Sequence, residues 1–193
     1  MNATTLVLVK HALPVIDASK PAKEWQLGAA GELQTEALAA HLRAFAPLRM
    51  VASPEPKAAR TAALVAARLS VAVRIVAGLR EFDRPRLPFL SKEEHERANA
   101  DIFTNPSRRV LGNESAHDAL ERFAAALDAE LEQTQTQTLV AIAHGTVISL
   151  FAGAHNAIDA FALWKQLVCP AYVVLNVPTF SLREVVADAG VPR

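Results

Sequence analysis

Residues 138–145 read TLVAIAHG, and this stretch decides the fold because it joins a buried strand directly to a helix. The uncharged, mostly apolar run at 138–143 predicts a strand that is covered on both faces of a sheet. His144 and Gly145 follow it, and the apolar segment beyond them predicts a helix from Gly145 to about residue 154. A strand that feeds a helix through so short a turn is typical of an α/β domain.

The rest of the chain repeats this alternation. Strands are predicted at residues 6–9, 50–52, 71–76, 172–177 and 181–186, and helices at 31–45, 56–69, 91–103, 114–131 and 158–167. The pattern predicts a three-layer α/β/α sandwich with a mainly parallel sheet, ending in an antiparallel C-terminal strand. All 193 residues, 1–193, are interpreted as a single domain. The proline-containing, charged segment at about 83–113 is expected to form a helical lid or insertion.

Composition limits the classes of function. The chain has 20 basic and 20 acidic residues, a balance that argues against a nucleic-acid partner. Its single cysteine, Cys169, excludes a disulfide framework and is expected to be a small buried residue. No apolar stretch approaches the roughly 20 residues that span a bilayer, and the N-terminus lacks the pattern of a signal peptide. We therefore expect a soluble, cytoplasmic protein without a membrane partner.

Polar side chains follow three of the predicted strands, at the point where each strand ends. They are Lys10 and His11 after the first strand, Ser53 with Lys57 and Arg60 after the second, and His144 with Gly145 after the strand at 138–143. The carboxyl ends of strands in open α/β sheets line the crevice that binds ligands. Cationic side chains and the backbone N–H groups of a helix starting at Gly145 suit a phosphate group. A neutral imidazole can attack phosphorus.

The usual motifs of cofactor and hydrolase sites are absent. The sequence has no Gly-rich phosphate loop, no G-x-G-x-x-G and no serine in a nucleophile elbow. The histidines show no metal-ligand spacing, so we expect neither a cofactor nor a metal. Outside the strand ends, His41, His95, His117 and His155 are interpreted as surface residues. Trp25 and Trp164 are expected in the core, and Ser53 either caps its helix or touches phosphate.

The ordered set of motifs resembles the histidine phosphatase superfamily, the phosphoglycerate-mutase-like proteins. Its Arg-His-Gly, Ser-Pro, Arg-Ala and Thr-Ala motifs are matched by Lys10-His11-Ala12, Ser53-Pro54, Lys57-Ala58 and Thr61-Ala62. Between the first two of these motifs the family has a Leu, a Gly and a Gln, which are matched by Leu27, Gly31 and Gln34. Its Leu-x-Glu, Gly-x-Glu-Ser and second His-Gly are matched by Leu79-Arg80-Glu81, Gly112-Asn113-Glu114-Ser115 and His144-Gly145. The resemblance covers about residues 5–153 and implies a phosphoglycerate-mutase-like fold.

The resemblance also implies a role for each side chain that matches a functional residue of the family. His11 is the phosphoryl acceptor, and His144 donates to the phosphoryl oxygens and stabilises charge in the transition state. Glu81 is the general acid for the leaving oxygen, a role that requires a raised pKa in a partly dehydrated pocket. Asp83 is its nearest substitute. No metal is required for this chemistry.

Two departures from the family motif concern the phosphate-binding cations. Lys10 and Lys57 stand where the family has arginines, and each offers a compact point charge in place of a planar fork. Arg60, about one helical turn beyond Lys57, could restore a guanidinium. Ala12 in place of glycine adds a methyl group beside the site and narrows the backbone's options.

Taken together, the residues and the resemblance predict a phosphatase that hydrolyses a small phosphate monoester through a phosphohistidine on His11. Two alternatives stay open. The altered cations are compatible with a non-catalytic protein that binds phosphate or another anionic ligand, and the same family contains phosphomutases. No pattern in the sequence selects one substrate or an oligomeric state.

Overall fold

The computed structural model describes residues 3–84, 91–110 and 112–191. Its strands are β1 (Thr5–Lys10), β2 (Leu48–Ala52), β3 (Val73–Ile75), β4 (Thr138–Ala143), β5 (Ala171–Asn176) and β6 (Ser181–Val186). Its α-helices are α1 (Ala29–Leu42), α2 (Pro56–Leu69), α3 (Lys92–Thr104), α4 (Ala116–Glu132), α5 (Gly145–His155) and α6 (Ala160–Gln166). These elements confirm the predicted α/β alternation.

One mixed sheet organises the domain, with the strand order β3-β2-β4-β1-β5-β6. The pairs β3–β2, β2–β4 and β4–β1 are parallel, whereas β1–β5 and β5–β6 are antiparallel. The predicted C-terminal hairpin is therefore present, and it forms one edge of the sheet. Because β1, β2 and β4 are parallel neighbours, their carboxyl ends lie side by side.

The core lies on both faces of this sheet. Along β1, Leu6 and Leu8 pack into one apolar cluster with α4 and α5, and Val7 and Val9 pack into the other with α1 and α2. This alternation follows the two-residue period of a strand. Every residue of β4 is buried, which explains why its sequence carries no charge. Helices on both faces of the sheet make the expected three-layer sandwich.

Several element ends differ from the sequence prediction for local physical reasons. Helix α1 ends at Leu42, and the predicted continuation to Phe45 is a short 3-10 helix followed by Ala46 and Pro47. Helix α4 begins at Ala116, because Ser115 caps it together with Asp118 in a capping box. The predicted capping box of α3, made by Ser91 and Glu94, is confirmed.

The segment predicted as a lid or insertion falls partly on residues 85–90 and 111, which lie outside the described residues. Within the described part of that segment, α3 contacts α6. No helix of the described residues is long and apolar enough to cross a membrane.

Candidate active site

Two histidine rings meet where β1 and β4 end. His11 follows β1 and His144 follows β4, and the backbone N–H of His11 donates to the carbonyl of Ala143 at 3.1 Å. The ring centroids are 5.2 Å apart with an interplanar angle of 64°. Both residues are buried, with 6% of His11 and 1% of His144 exposed. The convergence expected from the strand ends is therefore present.

The ring of His11 is held in one tautomer. Its Nδ1 lies 2.8 Å from the carbonyl oxygen of Ala12. A carbonyl can only accept a hydrogen bond, so Nδ1 carries the proton and Nε2 keeps its lone pair. Burial, together with the neighbouring His144 ring and the charge of Lys57, holds the pKa of His11 well below its usual value. The ring is thus neutral at pH 7 and has one unprotonated nitrogen.

The ring of His144 is oriented by Ser53. Nε2 of His144 lies 2.7 Å from Oγ of Ser53, which also accepts the backbone N–H of Glu55 at 3.2 Å. Burial lowers the pKa of His144 to about 3, even though the carboxylate of Glu81 opposes this shift. His144 is therefore neutral at pH 7 and can act as a hydrogen-bond donor through whichever nitrogen carries its proton. Ser53 makes the strand-end contact rather than capping α2.

The two lysines reach the same cavity from different sides. Nζ of Lys10 donates to the carbonyl of Leu167 at 2.6 Å, and Nζ of Lys57 donates to the carbonyl of Ala22 at 2.7 Å. Lys10 lies against Gly145, where an added Cβ would stand 3.3 Å from Cε of the lysine. Glycine at the start of α5 therefore leaves room for the Lys10 side chain. Both lysines line the cavity.

Arg60 is not brought to this cavity. Its guanidinium pairs with Glu32 of α1 at 2.8 Å, and 51% of the arginine side chain is exposed. Helix α2 directs Lys57 toward the strand ends, and the turn beyond it directs Arg60 toward α1. The guanidinium expected to compensate for the two lysines does not come from this position.

Glu81 lies in the cavity in a different state from the one expected. Its carboxylate accepts the backbone N–H groups of Phe82 at 2.9 Å, Thr146 at 3.2 Å and Val147 at 3.3 Å. Burial alone would raise the pKa of Glu81, but His144, Arg84 and the N–H groups of Phe82 and Thr146 lower it to about 2. The expectation of a raised pKa is wrong for this structure. The carboxylate also occupies part of the α5 N-terminus that was expected to receive phosphate at Gly145.

Sequence reasoning missed several charged or titratable residues of the cavity, among them Glu55, Arg84 and His95. Glu55 directly follows Ser53-Pro54, so the strand-end signal that singled out Ser53 and Lys57 could also have found it. Arg84 and His95 are joined by a 2.9 Å contact between Nη1 and Nε2. They come from a loop and from α3, and no sequence signal indicated that they line the cavity.

The Arg84 guanidinium is held deep in the cavity wall. One of its terminal nitrogens donates to Asn99 at 2.6 Å and to Thr146 at 3.2 Å. Its Nε is buried without a hydrogen-bond partner in the described part of the chain. Burial lowers the pKa of Arg84, whereas Glu81 and Glu55 raise it. Arg84 therefore supplies a planar cation near the start of α5.

The structure corrects other expectations about single residues and agrees with one of them. His95 lines the cavity, and His41 is buried with Nε2 at 3.0 Å from the carbonyl of Val191. His117 is exposed, as expected, and contacts Glu121. Trp25 and Trp164 line the cavity rather than the core, because the loop after β1 and the helix α6 form its walls.

The cavity as a whole is large and mixed in character. It has a volume of about 950 Å³ and combines the ionic groups with apolar side chains such as Ile16 and Phe82. The described residues contain no group of three His, Cys, Asp or Glu side chains that could hold a metal ion. Cys169 also lines the cavity, and burial raises the pKa of its thiol. A raised thiol pKa disfavours the thiolate form that attacks as a nucleophile.

Comparison with known proteins decides the family. The model of the histidine phosphatase superfamily (branch 1) matches residues 6–179. The chain belongs to the histidine phosphatase superfamily. No curated protein sequence matches it closely enough to add to that assignment.

Solved structures share the superfamily fold at low sequence identity. A mycobacterial glucosyl-3-phosphoglycerate phosphatase in complex with inorganic phosphate is 23% identical with a TM-score of 0.77, covering 98% of this chain and 100% of that chain. YhfR of Bacillus stearothermophilus is 19% identical with a TM-score of 0.74, covering 97% of both chains. A phosphoserine phosphatase variant of Entamoeba histolytica, bound to phosphoserine, is 15% identical with a TM-score of 0.75, covering 97% and 99%. At these identities the likeness establishes the fold.

Proposed function

We propose that this histidine phosphatase superfamily member hydrolyses a small phosphate monoester through a phosphohistidine on Nε2 of His11. The observation that carries the proposal is the hydrogen bond from Nδ1 of His11 to the carbonyl of Ala12 at 2.8 Å. It leaves the lone pair of Nε2 free, and burial keeps the ring neutral. A neutral imidazole with one fixed proton is the form that attacks phosphorus.

The surrounding charges support phosphoryl transfer. The ammonium groups of Lys10 and Lys57 line the same cavity as His11, and the neutral ring of His144 lies beside it. We assign both lysines to phosphate binding and His144 to the donation of a hydrogen bond to a phosphoryl oxygen. Catalysis of phosphoryl transfer depends largely on such positioning and charge stabilisation. The backbone N–H of Gly145 is assigned to the same anion site.

One observation favours the second candidate, a protein that binds an anionic ligand without turnover. Nζ of Lys57 already pairs with the buried carboxyl of Glu55 at 2.6 Å. When that carboxyl is ionised, it opposes an incoming phosphate and offsets the positive charge of the lysine. The two candidates therefore differ in whether the site hydrolyses a bound phosphate ester or only binds an anion.

Turnover across a panel of phosphate monoesters tests the proposal. We expect release of inorganic phosphate and transient acid-labile phosphorylation of the protein, both lost in His11→Ala. The matched control is His117→Ala, which removes an exposed histidine from α4 and should leave turnover unchanged. Phosphate binding by the wild type without turnover on any ester would favour the binding protein. Migration of phosphate within the substrate, in place of its release, would favour a mutase.

A further inference from the structure

Two indole rings line the cavity that contains His11, and they are the only tryptophans of the chain. Trp25 lies in the loop after β1, and Trp164 lies on α6. Both residues are half-buried, and neither belongs to the two apolar clusters of the core. Cavities that bind small molecules are lined largely by such apolar and aromatic side chains. The indoles are therefore placed to contact a ligand.

Two hydrogen bonds connect these walls of the cavity to the lysines that we assign to phosphate. Nζ of Lys57 donates to the carbonyl of Ala22, three residues before the first tryptophan. Nζ of Lys10 donates to the carbonyl of Leu167, three residues after the second. The leaving oxygen of a phosphate ester lies in line with the attacking atom, on the far side of phosphorus. The leaving group therefore points away from His11, into the volume that the two walls border.

Both indole rings are fixed by contacts within the protein. Nε1 of Trp25 donates within its own loop, to the carbonyls of Asp17 at 3.0 Å and Lys20 at 3.2 Å. This leaves the apolar surface of the ring, rather than its N–H, for a ligand. The ring of Trp164 lies nearly parallel to that of Phe161, with an interplanar angle of 10° and centroids 5.7 Å apart. Rings that are held before the ligand arrives reduce the conformational entropy that binding costs.

The uncharged part of the lining favours an apolar leaving group. Its apolar side chains include Pro14, Ile16, Pro21, Pro54, Pro56 and Phe82. Within the described residues, the lining has no asparagine or glutamine, and its one side-chain hydroxyl, on Thr146, already accepts from Arg84. A leaving group with many hydroxyls, such as a sugar, would lose water there without gaining neutral hydrogen-bond partners.

The charged part of the lining leaves little for a second anionic group. Of the six lysines and arginines that line the described cavity, four form ion pairs: Lys20 with Asp17, Lys23 with Asp83, Lys57 with Glu55 and Arg80 with Glu114. Arg84 is attracted by the charges of Glu81 and Glu55. Lys10 is the one lining cation that has no carboxylate partner among the described residues. A carboxylate on the leaving group would therefore compete with an existing ion pair.

We propose that the substrate is the phosphate monoester of an uncharged aromatic alcohol, whose ring binds against Trp25 and Trp164. The inference rests on the proposed phosphatase function and names the class of ester that the site takes. The two indoles act as specificity-determining residues that contact the leaving group and take no part in the bond-making steps. Aromatic pairs gain free energy from offset and edge-to-face contacts, beyond the area they bury, and a saturated ring of similar size lacks this gain.

Four esters with leaving alcohols of similar basicity test the assignment. They are ethyl, cyclohexylethyl and phenylethyl phosphate, and phenylethyl phosphate with a carboxylate at the para position. We expect kcat/KM for the phenylethyl ester to exceed that for the ethyl ester by at least about tenfold, through burial of the ring. It should exceed that for the cyclohexylethyl ester by about twofold to tenfold. The para carboxylate should lower kcat/KM by about tenfold or more, because its charge loses water without a free cation.

Variants of the two tryptophans locate the preference. Trp25→Ala and Trp164→Ala should each lower the ratio of kcat/KM for the phenylethyl ester to that for the ethyl ester by about twofold to tenfold. A general loosening of the fold changes both esters alike, so this ratio separates a specificity role from a structural one. Leu33→Ala removes an exposed apolar side chain of α1 and should keep the wild-type ratio.

Binding to the wild type tests the inference without variants and without turnover. Phenylpropylphosphonate and propylphosphonate have a CH₂ group in place of the bridging oxygen of the phenylethyl and ethyl esters, so the enzyme cannot hydrolyse them. We expect calorimetry to give a Kd at least about tenfold lower for the phenyl compound. Because both tryptophans line the cavity, their fluorescence should change when that compound binds.

The outcomes separate the two proposals. Equal kcat/KM for the phenylethyl and cyclohexylethyl esters, a preference for the para carboxylate, or the wild-type ratio in both tryptophan variants would overturn the inference and leave the phosphatase intact. Absence of turnover on every ester, or full activity in His11→Ala, would overturn the proposed function. The phosphonates then decide the aromatic site by themselves, and equal Kd values for the two would overturn it as well.

Discussion

The two buried imidazoles should make the folded state lose stability when the pH falls from 7.5 to 5.0. Burial lowers the pKa of His144 to about 3, and burial with the neighbouring His144 ring and the charge of Lys57 holds the pKa of His11 well below its usual value. In the unfolded chain both rings titrate near about 6.5. The unfolded state therefore binds more protons below that pH, and stability that is fully present above about 6.5 is lost as the pH falls.

The size of this stability loss follows from the difference between pH 5.0 and the pKa of a histidine in the unfolded chain. At pH 5.0 each unfolded histidine lies about 1.5 pH units below its pKa, and each unit is about 1.4 kcal/mol. The buried neutral ring of His144 therefore lowers the free energy of unfolding by about 2 kcal/mol at pH 5.0, and His11, whose pKa is lowered as well, adds to this loss. His95 adds to this loss, because burial and Arg84 lower its pKa as well. Glu55, whose pKa is raised, opposes it.

Variants isolate the contribution of each ring. Urea unfolding at a series of pH values gives the free energy of unfolding for the wild type, His11→Gln and His144→Gln. His144→Gln should remove about 2 kcal/mol from the loss between pH 7.5 and 5.0, and His11→Gln should also reduce that loss, whatever the effect of either substitution on stability at pH 7.5. His117→Gln, which changes an exposed histidine of α4, should leave the loss unchanged. The contributions of Glu55 and His95 are common to wild type and variants and largely cancel in the difference.

The reasoning fails if the pH dependence of His144→Gln equals that of the wild type. That result would mean that the buried ring is already protonated in the folded state at pH 5. The electrostatic account of a neutral His144 beside Lys10 and Lys57 would then be wrong.

Three further substitutions test the packing and the limits of the site. Phe123→Ala removes a ring that is fully buried between α4 and the sheet, and should lower the free energy of unfolding in urea by about 3–5 kcal/mol. Gly31→Ala should lower the thermal unfolding midpoint, because the added Cβ would clash with the backbone carbonyl oxygen of Leu13. Arg60→Ala should leave the Kd for inorganic phosphate within about twofold in calorimetry, because its guanidinium pairs with Glu32 outside the cavity.

The sequence predicts the part of the site that depends on strand ends. His11 and His144 could be placed together because each follows a buried strand, and β1 and β4 are parallel neighbours in the sheet. Strand direction and sheet order alone place the backbones of these two residues side by side at one edge of the sheet. The capping box of α3 was also predictable, because Ser91 and Glu94 stand at the required spacing.

The remaining part of the site depends on side-chain partners that sequence spacing does not determine. Lys57 and Arg60 are three residues apart on α2, yet only Lys57 reaches the cavity, because α1 supplies Glu32 as a partner for Arg60. The lowered pKa of Glu81 depends on His144, Arg84 and backbone donors, and His144 and Thr146 are more than sixty residues away in the sequence. Arg84 and His95 enter the cavity through the course of a loop and the docking of α3. None of these contacts has a local sequence signal.

The lysine at position 57 and the glutamate at position 55 form one unit and have to be interpreted together. An ammonium group has three N–H donors, and Lys57 uses one on Glu55 and one on the carbonyl of Ala22. One donor is left for a ligand, so the lysine can hold the carboxyl and a phosphoryl oxygen at the same time. A planar guanidinium presents its donors in a fixed fork and would have to divide that fork between a carboxylate and a phosphate. A lysine at position 57 therefore fits a site in which the cation that we propose for phosphate binding also holds a neighbouring carboxyl.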